Sequence, residues 1–388
     1  MVFMTTMNRS TRPLVATLMG HAVLGIALIF SGCERPNTLT GIAAAVPHVE
    51  RFTVLSDVYQ IDRQYRSMAG PWSMTAINLT EIGQDEPRQL LWLRGFSAVI
   101  VEADGKTTAS QEYMCHSNVG FERLMPGLPR LETAIFTLSQ GQYEIQFPEG
   151  FGLPVVSDEK IEVVTQVLNL NNDSPPTAVR HKLSFDFIRQ DASPSTPPPV
   201  KPLLHRQLPC FALVEGESGV FGIAAPDAEV HGPGCVRAPD PLGKGQHDEK
   251  WMKTGHTFKD PLGQTFTLHW VVPPGRQVNT SLVTGGLALP YDTTVHYIAV
   301  HLHPFAESLE LRDRTAKRTV FKSYTRQMKG RIGLEHVDFF SSEEGVLMYK
   351  DHEYELISIY NNTSDEDQDA MALMYLYLLA QDTQQLPI

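Results

Sequence analysis

The chain has 388 residues, of which 42% are hydrophobic and 20% are charged, a balance typical of globular domains and not of a disordered or fibrous chain. Its 32 Lys and Arg residues against 44 Asp and Glu residues give a net charge of −12, which counts against nucleic acid as a partner. The 27 prolines and 28 glycines, with few apolar stripes at helical spacing, favour an all-β fold.

The N-terminal segment 1–32 is predicted to be a lipoprotein signal peptide. Two arginines precede an apolar run over 14–30, which ends just before Cys33, and this is the order of a secretory signal. The ending resembles a bacterial lipobox, so we expect Cys33 to be lipidated and to anchor the chain in a lipid bilayer. The glutamate after it favours the outer membrane, facing the periplasm or the cell surface. An uncleaved anchor helix is the alternative; in both cases the chain is exported, with 33–50 as a tether.

Two antiparallel β-sandwich domains, jelly-roll-like and in tandem, are predicted for the remainder. Short apolar runs are separated by turn residues, and the alternating Leu-Ser-Phe-Asp-Phe at 183–187 is typical of a half-buried strand. The Pro-rich segment 191–203 reads as a stiff linker. The sequence therefore predicts an N-terminal sandwich over 51–190 and a C-terminal sandwich over 204–388.

Three further cysteines lie in the exported part of the chain. Cys210 and Cys235 flank a Gly- and Pro-rich stretch and are predicted to form a disulfide bond, with Cys115 as the odd cysteine of the three. The sequence contains no CxxC motif, no GxGxxG after a strand and no phosphate-binding GxxxxGK[ST]. Zinc ribbons, thioredoxin-type sites and nucleotide enzymes are therefore not indicated.

His301 and His303 end an apolar run, and Pro304 follows them directly. Residues i and i+2 of a strand point to the same face, so both imidazoles can reach one metal ion. Two solvent-facing histidines on a sheet edge are the alternative. His296 stands at an odd offset from His301 and is expected to be a packing or surface histidine on the other face.

The last apolar strand supplies a third candidate ligand. Met371 and Met374 fall on opposite faces of that strand. Two imidazoles and one thioether would suit copper, because imidazole binds both oxidation states and soft sulfur favours Cu(I).

These segments resemble the copper type II, ascorbate-dependent monooxygenases, the family of the peptidylglycine α-hydroxylating and dopamine β-monooxygenases. The resemblance rests on 295–311 with its His-x-His, on Val-Pro-Pro-Gly at 272–275, and on 364–379, where an acidic turn precedes a methionine and an aromatic strand. In the N-terminal half, the Gly- and Pro-containing segment 141–154 also matches. The similarity covers most of 95–380.

The resemblance implies that His301, His303 and Met371 are the three ligands of the family's substrate-oxidising copper, whereas Met374 is not a ligand. The N-terminal half departs from the family pattern. A His-His pair is replaced by Cys115-His116, and a third histidine is replaced by Leu168. Cys115 and His116 are left as a weak, degenerate second site, or Cys115 is an inert buried thiol.

The other polar features near these motifs are expected to be structural. The acidic turn over 364–369 reads as a solvated loop. The remaining histidines of the C-terminal half are expected in turns or at the surface, although one of them could also reach the copper: His247, His256, His269, His336 and His352.

Three functions remain open on the sequence. The first is a copper-dependent monooxygenase that uses ascorbate or another external reductant on a small-molecule or peptide substrate. The second is a non-catalytic copper-binding or copper-handling lipoprotein, favoured by the missing N-terminal ligands. The third is a metal-free β-sandwich at the cell surface.

Overall fold

The computed structural model describes residues 48–67, 69–78, 89–121, 134–157, 159–171, 173, 175–190, 198–213, 257–259 and 264–381. These residues belong to one compact unit, Pro47–Ile388. The predicted signal peptide, the lipidated Cys33, most of the tether and Cys235 lie outside the described residues, so the predictions for them stay predictions. Within the described residues, no helix is long and apolar enough to cross a membrane.

The fold is almost entirely β, as the composition indicated. The N-terminal half contains β1 (Glu50–Leu55), β2 (Tyr59–Ile61), β3 (Trp72–Asn78), β4 (Leu90–Glu102), β5 (Met114–Phe121), β6 (Ala134–Ser139), β7 (Glu144–Gln146), β8 (Phe151–Val156), β9 (Lys160–Val167) and β10 (Thr177–Gln190). The C-terminal half contains β11 (Lys201–Pro209), β12 (Ala212–Leu213), β13 (Thr257–Lys259), β14 (Thr265–Thr267), β15 (Trp270–Val272), β16 (Gly275–Leu282), β17 (Thr293–Leu302), β18 (Ala306–Asp313), β19 (Arg318–Gln327), β20 (Leu334–Val337), β21 (Phe340–Met348), β22 (Tyr354–Asn362), β23 (Gln368–Ala370) and β24 (Ala372–Leu379). Two single-turn helices, Gln111–Tyr113 and α1 (Thr284–Leu287), interrupt the described strands.

The largest sheet runs through both halves. Its order is β1-β10-β4-β8-β11-β24-β17-β21, with β2 attached to β10 and β7 to β4. Strand β11 pairs with β8 in parallel and with β24 in antiparallel fashion, so it joins the two halves. It begins at Lys201, inside the segment 191–203 that the sequence marks as a linker; positions 191–197 of that segment lie outside the described residues.

A second sheet covers each half of this large sheet. The order β3-β9-β5-β6 forms the other layer of the N-terminal sandwich, and β16-β22-β18-β19-β20 forms that of the C-terminal sandwich. The tandem all-β sandwiches predicted from the alternating apolar pattern are thus present. Alternate residues of β10, such as Phe185, are buried against Val119 and Val163 of the facing layer. Each such fully buried aromatic or aliphatic side chain contributes about 1.5–3 kcal/mol of transfer free energy.

The two sandwiches share apolar core as well as sheet. Tyr375 and Tyr377 of β24 belong to the same buried cluster as the N-terminal core. The Tyr375 hydroxyl accepts a hydrogen bond of 2.8 Å from Thr137, and the Tyr377 hydroxyl donates one of 2.8 Å to the carbonyl of Ile135. The Tyr377 ring also lies 4.7 Å from that of Phe147. The odd-numbered face of β24, and the face of β17 that carries Tyr297 and Ala299, are therefore turned towards the N-terminal half.

Strand β17 contains a bulge that sets which side chains occupy this face. Its register to β24 shifts between Val295 and Tyr297, which leaves His296 as the extra residue. Val295 packs in the C-terminal core, whereas Tyr297 packs in the shared core. A bulge reverses the alternation beyond it, so His301 and His303 lie on the face of Tyr297.

Candidate metal centre

His301 and His303 lie together at the end of β17, on one face, as their spacing predicts. Their ring centroids are 5.3 Å apart. The alternative of two solvent-facing histidines is wrong, because both side chains are buried.

Two residues that the sequence placed elsewhere complete a cluster around His303. His269 directly precedes β15, and Asp369 lies on β23, which pairs with β15. The Asp369 carboxylate oxygen Oδ2 is 2.9 Å from Nε2 of His269 and 2.9 Å from Nδ1 of His303. One ligand atom from each of the three residues lies within 4.8 Å of the other two. His269, His303 and Asp369 are hereafter called the carboxylate set.

The carboxylate set corrects two expectations from the sequence. His269 was expected at the surface or in a turn, and Asp369 was expected to be solvated with the rest of the acidic turn, whose residues 365–367 are indeed exposed. His269 is instead 3% exposed and Asp369 8% exposed. The short pairing of β15 with β23 draws both inward. The spacing of 100 residues between them gives no local signal of this contact.

Three ring nitrogens of His301 and His303 are unsatisfied polar atoms of the kind that can bind a metal ion. Both nitrogens of His301 are buried without a hydrogen-bond partner. Nδ1 of His303, although close to Asp369, does not meet it in hydrogen-bond geometry. A buried polar atom left without a partner costs about 1–3 kcal/mol. The donors present, imidazole nitrogen and carboxylate oxygen, therefore fit a transition-metal ion such as Cu(II) or Zn(II).

The electrostatics of the cluster favour the protonation states that bind metal. Burial alone would raise the pKa of Asp369, but the adjacent His303 and His269 outweigh it and hold the pKa well below its usual range. Burial lowers the pKa of His269, against the pull of Asp369. Burial, with repulsion from His303 and then His116, lowers the pKa of His301 far below its usual range. Neutral imidazoles and an ionised carboxylate are the ligand forms.

Met371 lies between β23 and β24, near the two histidines of β17. In the register of these strands Leu302 is opposite Ala372 and His301 is opposite Leu373. Met371 is partly buried and packs against the shared core, the side to which His301 points. Met374 is buried in the C-terminal core, on the opposite face, as the alternation predicts. The thioether of Met371 is therefore on the correct face for the ligand set that the family resemblance implies.

The degenerate N-terminal positions are also neighbours in the structure. Strand β5 has a bulge at Cys115. The residues on either side of it, Met114 and His116, pair with the consecutive residues Val167 and Gln166 of β9, so Cys115 is the extra residue. The Cys115 sulfur lies 3.4 Å from Nδ1 of His116. Cys115 and Leu168 are both buried in one small apolar cluster. Burial, with repulsion from His303, lowers the pKa of His116 to about 4.

The remaining predicted residues occupy other environments. His296 is a packing histidine, because its ring stacks on Phe151 at 4.1 Å. Cys210 is buried and its sulfur lies 3.5 Å from the Ser358 hydroxyl. Its predicted partner Cys235 lies outside the described residues, so that disulfide stays a prediction. His336 is part-exposed at the surface beside Asp338.

Comparisons with known proteins add only distant structural likenesses. No family model and no curated protein matches the chain. Among solved structures, the crystal structure of the STIV MCP has 9% identity and a TM-score of 0.31, and the match covers 86% of this chain and 99% of that chain. The structure of the Macrobrachium rosenbergii nodavirus has 8% identity and a TM-score of 0.20, over 91% of this chain and 96% of that one. Likenesses of this size carry no argument about function.

Proposed function

We propose that this protein is an exported copper-binding protein whose primary site is the carboxylate set. The observation that carries the proposal is the convergence of three buried ligand atoms within 4.8 Å of one another. The unsatisfied Nδ1 of His303 supports it. Divalent copper binds nitrogen and oxygen donors more tightly than other first-row divalent ions.

The deep burial of the ligands favours binding or handling of copper over catalytic turnover, because a substrate would have little access to the ion. His269, His303 and Asp369 are each less than 9% exposed. A bound copper ion would supply one-electron redox chemistry, and these side chains would hold it and keep bulk water from it. The carboxylate balances one positive charge of the ion. Lipidation at Cys33 and an outer-membrane location belong to the same proposal and rest on the sequence alone.

A copper- and ascorbate-dependent monooxygenase is the second candidate function. The observation that favours it is the shared face of His301, His303 and Met371 beside the paired ends of β17 and β24. That ligand set is the one that the family resemblance implies. The two candidates differ in the third donor, which is the Asp369 oxygen in the first and the Met371 sulfur in the second.

Copper stoichiometry and electron paramagnetic resonance on the full chain test both candidates. We expect one Cu(II) per chain, lost in His303→Ala and weakened more than tenfold in Asp369→Ala. Met371→Ile should leave Cu(II) binding unchanged, and His336→Ala is the control for a surface histidine. Loss of copper in Met371→Ile, with binding retained in Asp369→Ala, would overturn the carboxylate set in favour of the second candidate. No tight copper in the natural chain would leave a metal-free β-sandwich.

A further inference from the structure

Strand β22 supplies no ligand to the carboxylate set, but its buried face ends against the segments that carry the ligands. Alternate residues of this strand are buried, and Tyr360 and Asn362 are the last two of them. They are 0% and 2% exposed, and both are polar. Because a buried polar group without a hydrogen bond is costly, the partners of these two side chains identify what they hold in place.

The Tyr360 side chain contacts all three ligand-bearing segments. Its hydroxyl accepts a 3.2 Å hydrogen bond from the backbone N–H of His303. The same hydroxyl donates a 2.7 Å hydrogen bond to the carbonyl of Met371, at the end of the segment that carries the carboxylate. Its ring meets the ring of Trp270 edge-on at a centroid distance of 5.7 Å, and Trp270 directly follows His269. One side chain therefore links the three segments that must converge for the carboxylate set to form.

Asn362 ties the acidic turn to the strand that it pairs with. Its amide nitrogen donates hydrogen bonds of 2.8 Å to the carbonyl of Val272, at the end of β15, and of 2.7 Å to the carbonyl of Glu366. Its oxygen accepts hydrogen bonds of 3.0 Å and 2.6 Å from the backbone N–H and the hydroxyl of Ser364. These contacts lie where β15 pairs with β23, and this pairing brings the carboxylate next to His269.

We propose that Tyr360 and Asn362 are positioning residues, which hold the three ligands in place for Cu(II) although neither binds the ion. The inference rests on the proposed function, because it concerns the affinity of the carboxylate set. A metal ion that had to order three separate segments as it bound would lose affinity to the cost of that ordering. Residues that orient metal ligands through hydrogen bonds typically contribute about 10–100-fold to metal affinity.

A second tyrosine of β22 separates positioning from general stability. Tyr354 lies on the same buried face and is 1% exposed. Its hydroxyl also makes two hydrogen bonds, one from the backbone N–H of Tyr349 and one to its carbonyl, and Tyr349 lies outside the ligand-bearing segments. Tyr360→Phe and Tyr354→Phe each remove one buried hydroxyl with two hydrogen bonds. Urea unfolding of the metal-free chain should therefore show similar losses of stability in the two variants.

The test measures Cu(II) binding to the full chain by competition with a chelator of known affinity, together with the copper hyperfine splitting in electron paramagnetic resonance. We expect Tyr360→Phe and Asn362→Ala to raise the dissociation constant for Cu(II) by about tenfold or more and to change the hyperfine splitting. Tyr354→Phe should leave both quantities as they are in the natural chain. Circular dichroism checks that each variant is folded, and Tyr360→Phe, which removes one oxygen atom, carries the test if Asn362→Ala does not fold.

The outcomes distinguish this inference from the proposed function. Cu(II) affinity and hyperfine splitting in Tyr360→Phe equal to those of the natural chain would overturn the inference and leave the proposed function intact. An equal loss of affinity in Tyr354→Phe would assign the effect to general stability and would also overturn it. A natural chain that binds no Cu(II) would overturn the proposed function, and the inference with it.

Discussion

His181 should make the folded protein sensitive to acid at a pH where most carboxylates are still ionised. The residue lies on β10 inside the N-terminal sandwich and is 0% exposed. Its Nδ1 is 2.8 Å from the Ser117 hydroxyl, and its ring meets Tyr59 edge-on at 5.9 Å. Burial, with repulsion from His116, lowers the pKa of His181 to about 3, whereas an unfolded histidine titrates near 6.5.

The sign follows from proton binding in the two states. Between pH 6.5 and pH 3 the unfolded chain binds a proton at this position and the folded chain does not, so the free energy of unfolding falls as the pH falls. Each pH unit below 6.5 costs about 1.4 kcal/mol. Between pH 7.5 and pH 5.0 the loss assigned to His181 is therefore about 2 kcal/mol.

Urea unfolding of the metal-free chain at these two pH values measures the effect. His181→Asn keeps an atom that can meet the Ser117 hydroxyl but does not titrate, so its loss of stability should be smaller than that of the natural chain by about 2 kcal/mol. Titrating groups that do not interact with His181 cancel in this comparison. His336→Asn, at a part-exposed position, should behave as the natural chain does. Equal pH dependence of His181→Asn and the natural chain would refute the reasoning.

Three further predictions concern the shared core, a turn and the metal. Tyr375→Phe removes the hydroxyl that accepts hydrogen bonds from Thr137 of the N-terminal half and from Gln207 of the neighbouring strand β11. It should lower the free energy of urea unfolding by about 1–3 kcal/mol, and a change below about 0.5 kcal/mol would contradict a bonded contact. At Gly345, where φ is 72°, an added methyl group would lie 2.8 Å from the Val295 carbonyl oxygen and 2.8 Å from the His296 ring. Gly330 has the same φ of 72°, but a methyl group there would meet no atom within 4 Å. Gly345→Ala should therefore lower the melting temperature more than Gly330→Ala, and equal shifts would argue against the close approach. Copper(II) at a free concentration 100-fold above its dissociation constant should raise the free energy of unfolding by about 2.7 kcal/mol, and this increase should disappear in Asp369→Ala.

The sequence was informative where a structural rule acts over a few residues. Alternation in segments such as 183–187 identified strands, and the His-x-His spacing placed His301 and His303 on one face. The opposite faces of Met371 and Met374 followed from the same rule. Each of these inferences depends on a period of two along one strand.

The parts that could not be predicted depend on contacts between distant segments. The pairing of β15 with β23 brings His269 next to Asp369, which is 100 residues further along the chain. The sequence around either residue contains no pattern that predicts this contact. The bulge in β17 determines that His301 faces the N-terminal half. Its extra residue is His296, and no Gly or Pro stands there to mark the bulge in the sequence. The predicted linker ends in strand β11 because its last residues find hydrogen-bond partners on both sides.

The position of β24 has a consequence for how the chain reaches its native state. This strand is the latest in the chain of those described, yet it occupies the middle of the largest sheet, between β11 and β17. During synthesis the sheet therefore remains split, with two open edges, until Ala372–Leu379 has emerged. Pairings between such distant segments form slowly. A nascent chain of this topology stays incompletely folded for most of its synthesis, and its final cooperative step is the insertion of one central strand.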